Sequence, residues 1–425
     1  VAYRDDIATL GADHHYPFED DSLDEIGAVN GTDSGVLYTG TAIAEDASNC
    51  MTTNTQGSIS VRGDRVTLAT TANINNSAQT QKAVCGWFMF DSFRPPPIHI
   101  YGEGDTTTKW QFIAGFGNNL VFEVVEATNF PTGLQVYGPE MVPNRAYHLC
   151  GIFLGNSNGN EVKLFVDGVE MTNADPLDRQ PDTASLDARG VAVFGDAGTA
   201  SQGVGGGTVR MSGSDEGYYN HWATFDGASA DLSDTEIRET LFEGGVLATE
   251  TIAAGTESAM QTALELIDNG LKGNVPCAIR VANNTGDTDF ELSAIAITFD
   301  PLSSIHVQYT GSATLNWRND RNSNATIFST TGGGTITVQN ETQLDISGLQ
   351  NPTEVRVYEA GTTTEVAGEE NVTDGLFESF VYVDSVDIMI VSLTEDIIRL
   401  ESVDTSVGVV LQVSQFFDRN YRNPA

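Results

Sequence analysis

The chain has 425 residues, enough for about two to four domains with hydrophobic cores of their own. Its 59 acidic against 20 basic residues give a formal net charge of -39, and only Lys82, Lys109, Lys163 and Lys272 are lysines. Such a chain cannot neutralise a run of phosphates, which excludes a general nucleic-acid binder and argues against an anionic membrane surface as partner.

In chain order, the dominant pattern is period-two alternation in short segments broken by Gly, Asn, Asp and Thr. It predicts strands at Ser58–Arg62, Gln111–Phe116, Leu120–Val125, Val162–Val166 and Val191–Phe194. Asp167-Gly168, between two alternating apolar segments, is a two-residue type I′ turn signal. Two helices interrupt the strands. Asp231–Phe242 carries a capping box, Ser233 with Glu236, sets Ile237 and Leu241 on one face, and has Gly244 for a left-handed exit. Glu257–Asn269 sets Met260, Ala263, Leu264 and Ile267 in one stripe and stops at Gly270. Strands resume at Ala294–Phe299, Ile305–Tyr309, Thr335–Val338, Glu354–Tyr358 and Val386–Ser392. Short strands at this spacing mean sandwiches or barrels. No period of about 20–50 residues recurs, so a solenoid or propeller is not expected.

Three regions follow. Residues 1–247 are strand-rich and closed by the first helix, residues 248–300 are a connector with one helix, and residues 301–425 are again β-rich. Cys50, Cys85, Cys150 and Cys277 form no CxxC and no zinc-ligand spacing, and read as buried free thiols of a reducing compartment. There is no run of about eighteen apolar residues, so no spanning helix is expected. The first residues, VAYRDDIATL, lack the basic and apolar regions of a signal peptide. A mature form left by cleavage and simple loss of an initiator methionine both stay open.

Several segments of residues 14–247 resemble the concanavalin A-like, laminin-G-like jelly roll. HHYPFEDDSLDEIG, from His14, is similar to that family's first strand and loop. Ala83–Phe90 resembles its central strand with an inward Trp, Arg145–Leu154 the strand with an apolar-His pair, and Glu161–Glu170 its DG hairpin. Gly217–Gly245 is similar to its closing strand and short helix. The resemblance implies an N-terminal jelly-roll sandwich. It also makes the strands from Ala83 and Ala146 neighbours, which brings Cys85 near Cys150, still expected as free thiols.

The superfamily includes glycosidases, which need two carboxylates about 5–5.5 Å apart on one face. Glu123 and Glu126 are three apart and point to opposite faces of a strand, and Asp215-Glu216 are adjacent. No strand carries the array, and no Ser-His or Cys-His arrangement stands out, so the chain is expected not to be an enzyme. His14-His15 beside Asp13 reads as a metal site or, more plainly, as a solvated N-terminal segment. Arg62-Gly63-Asp64 reads as a hairpin turn and Gly203–Gly207 as a loop. Lectin-like sheets bind sugars with exposed aromatics and carboxamides, sometimes through Ca²⁺. Trp110, Tyr137, Tyr218, Tyr219 and His221, with Asn220 and Trp222, are the candidate ligand-binding residues. The competing reading puts alternate members of Tyr218–Trp222 in the core.

Residues 294–425 resemble segments of tailed-bacteriophage structural proteins, at Ile305–Trp317, Gly332–Leu349, Gln350–Gly368 and Asp418–Pro424. Within them, Leu349–Leu393 reads as a small Ig-like or prealbumin-like sandwich cored by Val355, Val357, Phe377, Phe380, Val381, Tyr382, Ile388, Ile390 and Val391. The expectation is an all-β chain: jelly roll, short helical connector and β-rich C-terminal region with an Ig-like sandwich. Its role would be that of a virion fibre, spike or decoration subunit, assembled in the host cytoplasm, homo-oligomeric and most simply trimeric. Host glycan would be its ligand. The alternative is a secreted, Ca²⁺-dependent lectin of an aquatic bacterium. The acid-rich, lysine-poor composition suits a saline setting.

Overall fold

A computed structural model describes residues 3–53, 64–68, 81–91, 98–104, 109–114, 119–125, 134–154, 162–174, 192–195, 217–267, 270, 274–294 and 296–416. The predicted strand Ser58–Arg62, the turn at Arg62-Gly63, the loop Gly203–Gly207 and the segment Asp418–Pro424 lie outside them.

Two segments apolar on both faces organise the first unit. Lys82–Phe90 and Tyr147–Phe153 are buried on both sides, the mark of strands held between two layers. They are β6 and β11, antiparallel, with Cys85 opposite Cys150 and Trp87 opposite His148. Their sheet runs β13 (Val169–Glu170), β12 (Val162–Val166), β11, β6, β16 (Gly217–Asp226), β4 (Asn49–Thr53) and β3 (Leu37–Thr41), with β1 (His14–Tyr16) beside β16. A second sheet runs β14 (Asn173–Ala174), β10 (Leu134–Glu140), β9 (Asn119–Val125), β8 (Lys109–Ala114), β7 (Ile98–Gly104), β15 (Ala192–Gly195), β5 (Arg65–Leu68) and β2 (Gly31–Ser34).

Val84, Phe88 and Phe90 meet Phe112 and Phe122 of the second sheet in the core between the sheets. Ala83, Cys85 and Trp87 point the other way, into a second core closed by the helix Tyr3–Thr9, the helical segment Glu236–Phe242, Cys277 and Ile305. This unit comprises residues 1–249, 274–278 and 302–305. Cys85 and Cys150 form a disulfide, and Cys50 and Cys277 are buried and outside any disulfide. The expectation of free thiols therefore fails at the first pair, where direct cross-strand register sets the two side chains together.

The turn Asp167-Gly168 has both φ angles positive, +51° and +72°, as a type I′ turn requires. The capping box forms: the Ser233 amide donates to Glu236 Oε2 at 2.7 Å and the Glu236 amide to Ser233 Oγ at 3.2 Å. The helix then widens to π geometry over Glu236–Phe242, with the Glu243 amide donating to the Arg238 carbonyl. Gly244 is not left-handed; a Cβ there would lie 2.4 Å from the Thr240 carbonyl oxygen, so close approach is what requires glycine.

Gly86 and Gly151 make room for aromatic rings in the inter-sheet core. A Cβ on Gly86 would lie 2.3 Å from the Trp222 ring, and one on Gly151 2.6 Å from that of Phe122. Gly86→Ala should therefore lower unfolding free energy by about 1–3 kcal/mol in urea titrations. A loss under about 0.5 kcal/mol would show that the rings relax freely.

The second unit comprises residues 250–273, 279–301 and 306–425. Its first half is a stack of rungs. Strands β19 (Phe290–Ala294), β21 (Thr314–Asn319) and β23 (Thr335–Asn340) form one parallel sheet. The other sheet runs β17 (Ala248–Ile252), β18 (Cys277–Val281), β20 (Ile305–Tyr309) and β22 (Phe328–Thr330), with β20 and β22 parallel. Successive chain segments alternate between the sheets, which is solenoid order, against the expectation from sequence. Leu292, Leu315, Trp317, Ile279, Val281, Val307 and Tyr309 fill the interior. The predicted strand Ala294–Phe299 is shifted back to β19.

The helix Glu257–Glu265, capped by Thr256, packs its Met260 and Leu264 inward. Gln261 covers the edge of β19: its carboxamide donates to the Ser293 carbonyl at 3.2 Å and accepts from the Ser293 amide at 2.9 Å, as a neighbouring strand would.

The second half is a sandwich. One sheet is β27 (Leu376–Val381), β24 (Thr342–Ser347) and β30 (Val409–Gln412); the other is β26 (Glu365–Val372), β25 (Thr353–Glu359), β28 (Ser385–Ser392) and β29 (Ile398–Asp404). Val355, Val357, Phe377, Val381, Ile388 and Ile390 are in its core as expected. Phe380 and Tyr382 instead lie beneath the guanidinium groups of Arg321 and Arg318. The chain is all-β, with few helices.

Candidate functional site

The aromatic segment of β16 was the main ligand-binding expectation. Tyr219 and His221 are each 1% exposed, and Trp222 is fully buried, so none presents a ring to solvent. A bulge between Asn220 and Ala223, with His221 at φ +47°, shifts the alternation by one residue and turns both Tyr219 and Trp222 into the inter-sheet core. Asn220 is a buried clamp: its Oδ1 accepts from the Ile43 amide, and its Nδ2 donates to the carbonyls of Pro17 and Asn49. Tyr218 is half-buried on β16, and Tyr137 is half-buried on β10 in the other sheet. The Trp110 side chain lies outside the described residues.

The histidines of this unit do not form a solvated segment. His14 and His15 are fully buried on β1. His14 Nδ1 meets Asp24 Oδ2 at 2.5 Å, and His15 Nε2 meets His221 Nδ1 at 3.1 Å. Burial pushes the Asp24 carboxyl up, but hydrogen bonds from His14 and from the amides of Gly27, His15 and Val29 hold it below the ordinary range. Glu25 is also lowered, first by its hydrogen bond with His15. Burial drives His148 down to about 3, and burial with the nearby His15 and Arg4 does the same to His221. Among the described residues no three His, Cys, Asp or Glu side chains converge as a metal would need.

A buried ion pair lies near the start of β11. Arg145 Nη2 is 2.7 Å from Asp167 Oδ2, and the two side chains are 8% and 4% exposed. Asp167 Oδ2 also accepts from Ser304 Oγ, and Oδ1 accepts from the His148 amide. Burial raises the Asp167 carboxyl above its usual range, with Arg145 opposing.

Beside this pair is a cavity of about 270 Å³, lined by Thr41, Ile43, Met89, Asn144, Arg145 and Leu247 among others. Its lining is mostly apolar and it opens to solvent. Asn144 commits its Nδ2 to the Asp91 carbonyl. The sequence pointed to none of this: the lining comes from five separated segments with no shared motif.

No family model matches the chain, and no curated protein matches it. Among solved structures, the binding domain of botulinum neurotoxin serotype D is similar over 55% of this chain and 52% of that one, at 12% identity and a TM-score of 0.39. Domain 4 of an extracellular arabinanase from Geobacillus stearothermophilus, solved with arabinotriose, is similar over 54% and 97%, at 13% identity and 0.36. A Trypanosoma rangeli sialidase is similar over 56% and 37%, at 11% identity and 0.37. The chain thus spans about half the length of the neurotoxin binding domain. At such scores the architecture stands on strand order and register alone.

Proposed function

We propose that this chain is a non-enzymatic structural protein of a tailed-phage virion, a fibre, spike or decoration subunit, whose first unit is displayed and binds host glycan. The observation that carries the glycan reading is the cavity beside Arg145. Its volume suits a single sugar ring, with Ile43, Met89 and Leu247 for the apolar face and Asn144 and Arg145 for hydroxyls. The virion reading is supported by two all-β units in one chain and by an acid-rich exterior that favours solubility over contact with phosphate.

A glycan array tests the first part. Wild type should bind a defined sugar class, and Thr41→Trp, at an exposed rim position, should reduce that binding at least tenfold while melting unchanged. Equal binding by the variant would remove the cavity as the site, and an empty array would remove the glycan reading. Immunogold labelling of particles tests the virion part separately.

The Cys85–Cys150 disulfide favours a second reading, a secreted Ca²⁺-dependent lectin, because such bonds persist in oxidising compartments. Chelator-sensitive sugar binding by a stable monomer absent from particles would decide for it.

A further inference from the structure

The rung stack of the second unit is closed at one end and open at the other. Gln261 covers β19, whereas among the described residues nothing pairs with the far edge of β23. The Thr335 amide donates to the Ala313 carbonyl and the Glu341 amide to that of Asn319, both on the β21 side. Backbone groups alternate sides along a strand, so Thr335, Thr337 and Gln339 bond to β21, and Ile336, Val338 and Asn340 turn their N–H and C=O groups to the open edge.

Exposed edges normally carry a charge, a bulge or a proline that blocks pairing. In this unit β26 has three glutamates, β27 has Glu378, and β29 has Arg399 and Glu401 with Ser402 at φ +52°. The six residues of β23, TITVQN, have no such device and make it the unit's longest edge strand without a charge. Val338 is 38% exposed there.

We propose that β23 is a self-association site at which two copies of the chain pair antiparallel about a two-fold axis through Thr337. The strand is complementary to itself in that register. Ile336 faces Val338 of the second copy, Thr335 faces Gln339, and Thr337 faces Thr337, so apolar meets apolar and hydroxyl meets amide or hydroxyl. The hydrogen-bond phase agrees. Ile336 and Val338 point their backbone groups outward and form the bonded pairs, while Thr337 points its own to β21 and forms the non-bonded pair, as antiparallel pairing demands. No like charges meet, which matters for a molecule of net charge -39. The contact is independent of glycan binding and replaces the three-fold closure expected from sequence with a two-fold one.

Sedimentation velocity on the full chain at about 1–100 µM in physiological salt should show a monomer–dimer equilibrium, weak because a six-strand-residue contact is small. Non-bonded antiparallel pairs bring Cβ atoms to about 4.5–5.5 Å, so Thr337→Cys should give a disulfide-linked dimer on mild oxidation, where wild type gives none. Thr337 is exposed, so that variant should melt as wild type does. Val338→Lys should abolish the equilibrium. A chain that stays monomeric at the highest concentration, a trimeric mass, or failure of Thr337→Cys to cross-link above wild type would each overturn the proposal.

Discussion

The first unit should lose stability steeply as pH falls from about 6.5 to 4.5. His148 and His221, buried and held down to about 3, stay neutral when folded, whereas the unfolded chain protonates them near 6.5. A group whose folded pKa is depressed gives stability that is complete above its unfolded pKa and is lost as pH falls toward the folded one. Each histidine then removes up to about 1.4 kcal/mol per pH unit. The lowered Asp24 and Glu25 act in the same direction, but only below the ordinary carboxylate range. Asp167, raised by burial, opposes by taking a proton in the folded state. His148 has no partner at either ring nitrogen among the described residues and packs against the rings of Trp87 and Phe242. His148→Phe should therefore match or exceed wild-type stability at pH 7.5 and remove about one proton from the acid slope. Urea titrations from pH 7.5 to 4.5 check this; a slope identical in wild type and variant would refute the assignment.

What was legible in the sequence was chemistry that acts within a few residues. Asp167-Gly168 declares its turn because both positions need positive φ, and Ser233 with Glu236 declares its cap because the two groups satisfy each other. Val355, Val357, Ile388 and Ile390 reveal a one-sided sheet through strict alternation. Tyr219, His221 and Trp222 went to the core because one bulged residue, His221, shifts the alternation, and nothing local marks the shift. The rung stack failed for a different reason. Strands of one sheet begin at 248, 277, 305 and 328, spacings of 29, 28 and 23 residues, so no fixed period exists to be found. The Arg145–Asp167–Ser304 cluster joins segments up to 159 residues apart and the cavity brings Thr41 to Leu247, separations no pattern in one sequence reports.

Arg145→Ala should cost about 3–5 kcal/mol at pH 7.5, because it leaves Asp167 buried with its charge unpaired. The remaining donors, the Ser304 hydroxyl and the His148 amide, cannot replace a guanidinium. The variant has one escape: Asp167, already raised by burial, rises further and takes up a proton. A raised folded pKa adds stability as pH falls through it, so the deficit of the variant should shrink between pH 7.5 and 5. Arg145→Ala combined with Asp167→Asn should recover part of the loss at pH 7.5, since the amide keeps an acceptor for the His148 amide without a charge to desolvate. Simple loss of packing over the Tyr147 ring, 4.3 Å from the guanidinium, predicts otherwise: a deficit independent of pH and not relieved by Asp167→Asn. Unfolding free energies of wild type and the two variants at the two pH values separate the accounts, and a loss below about 1 kcal/mol for Arg145→Ala would show that the pair is neutral to the fold.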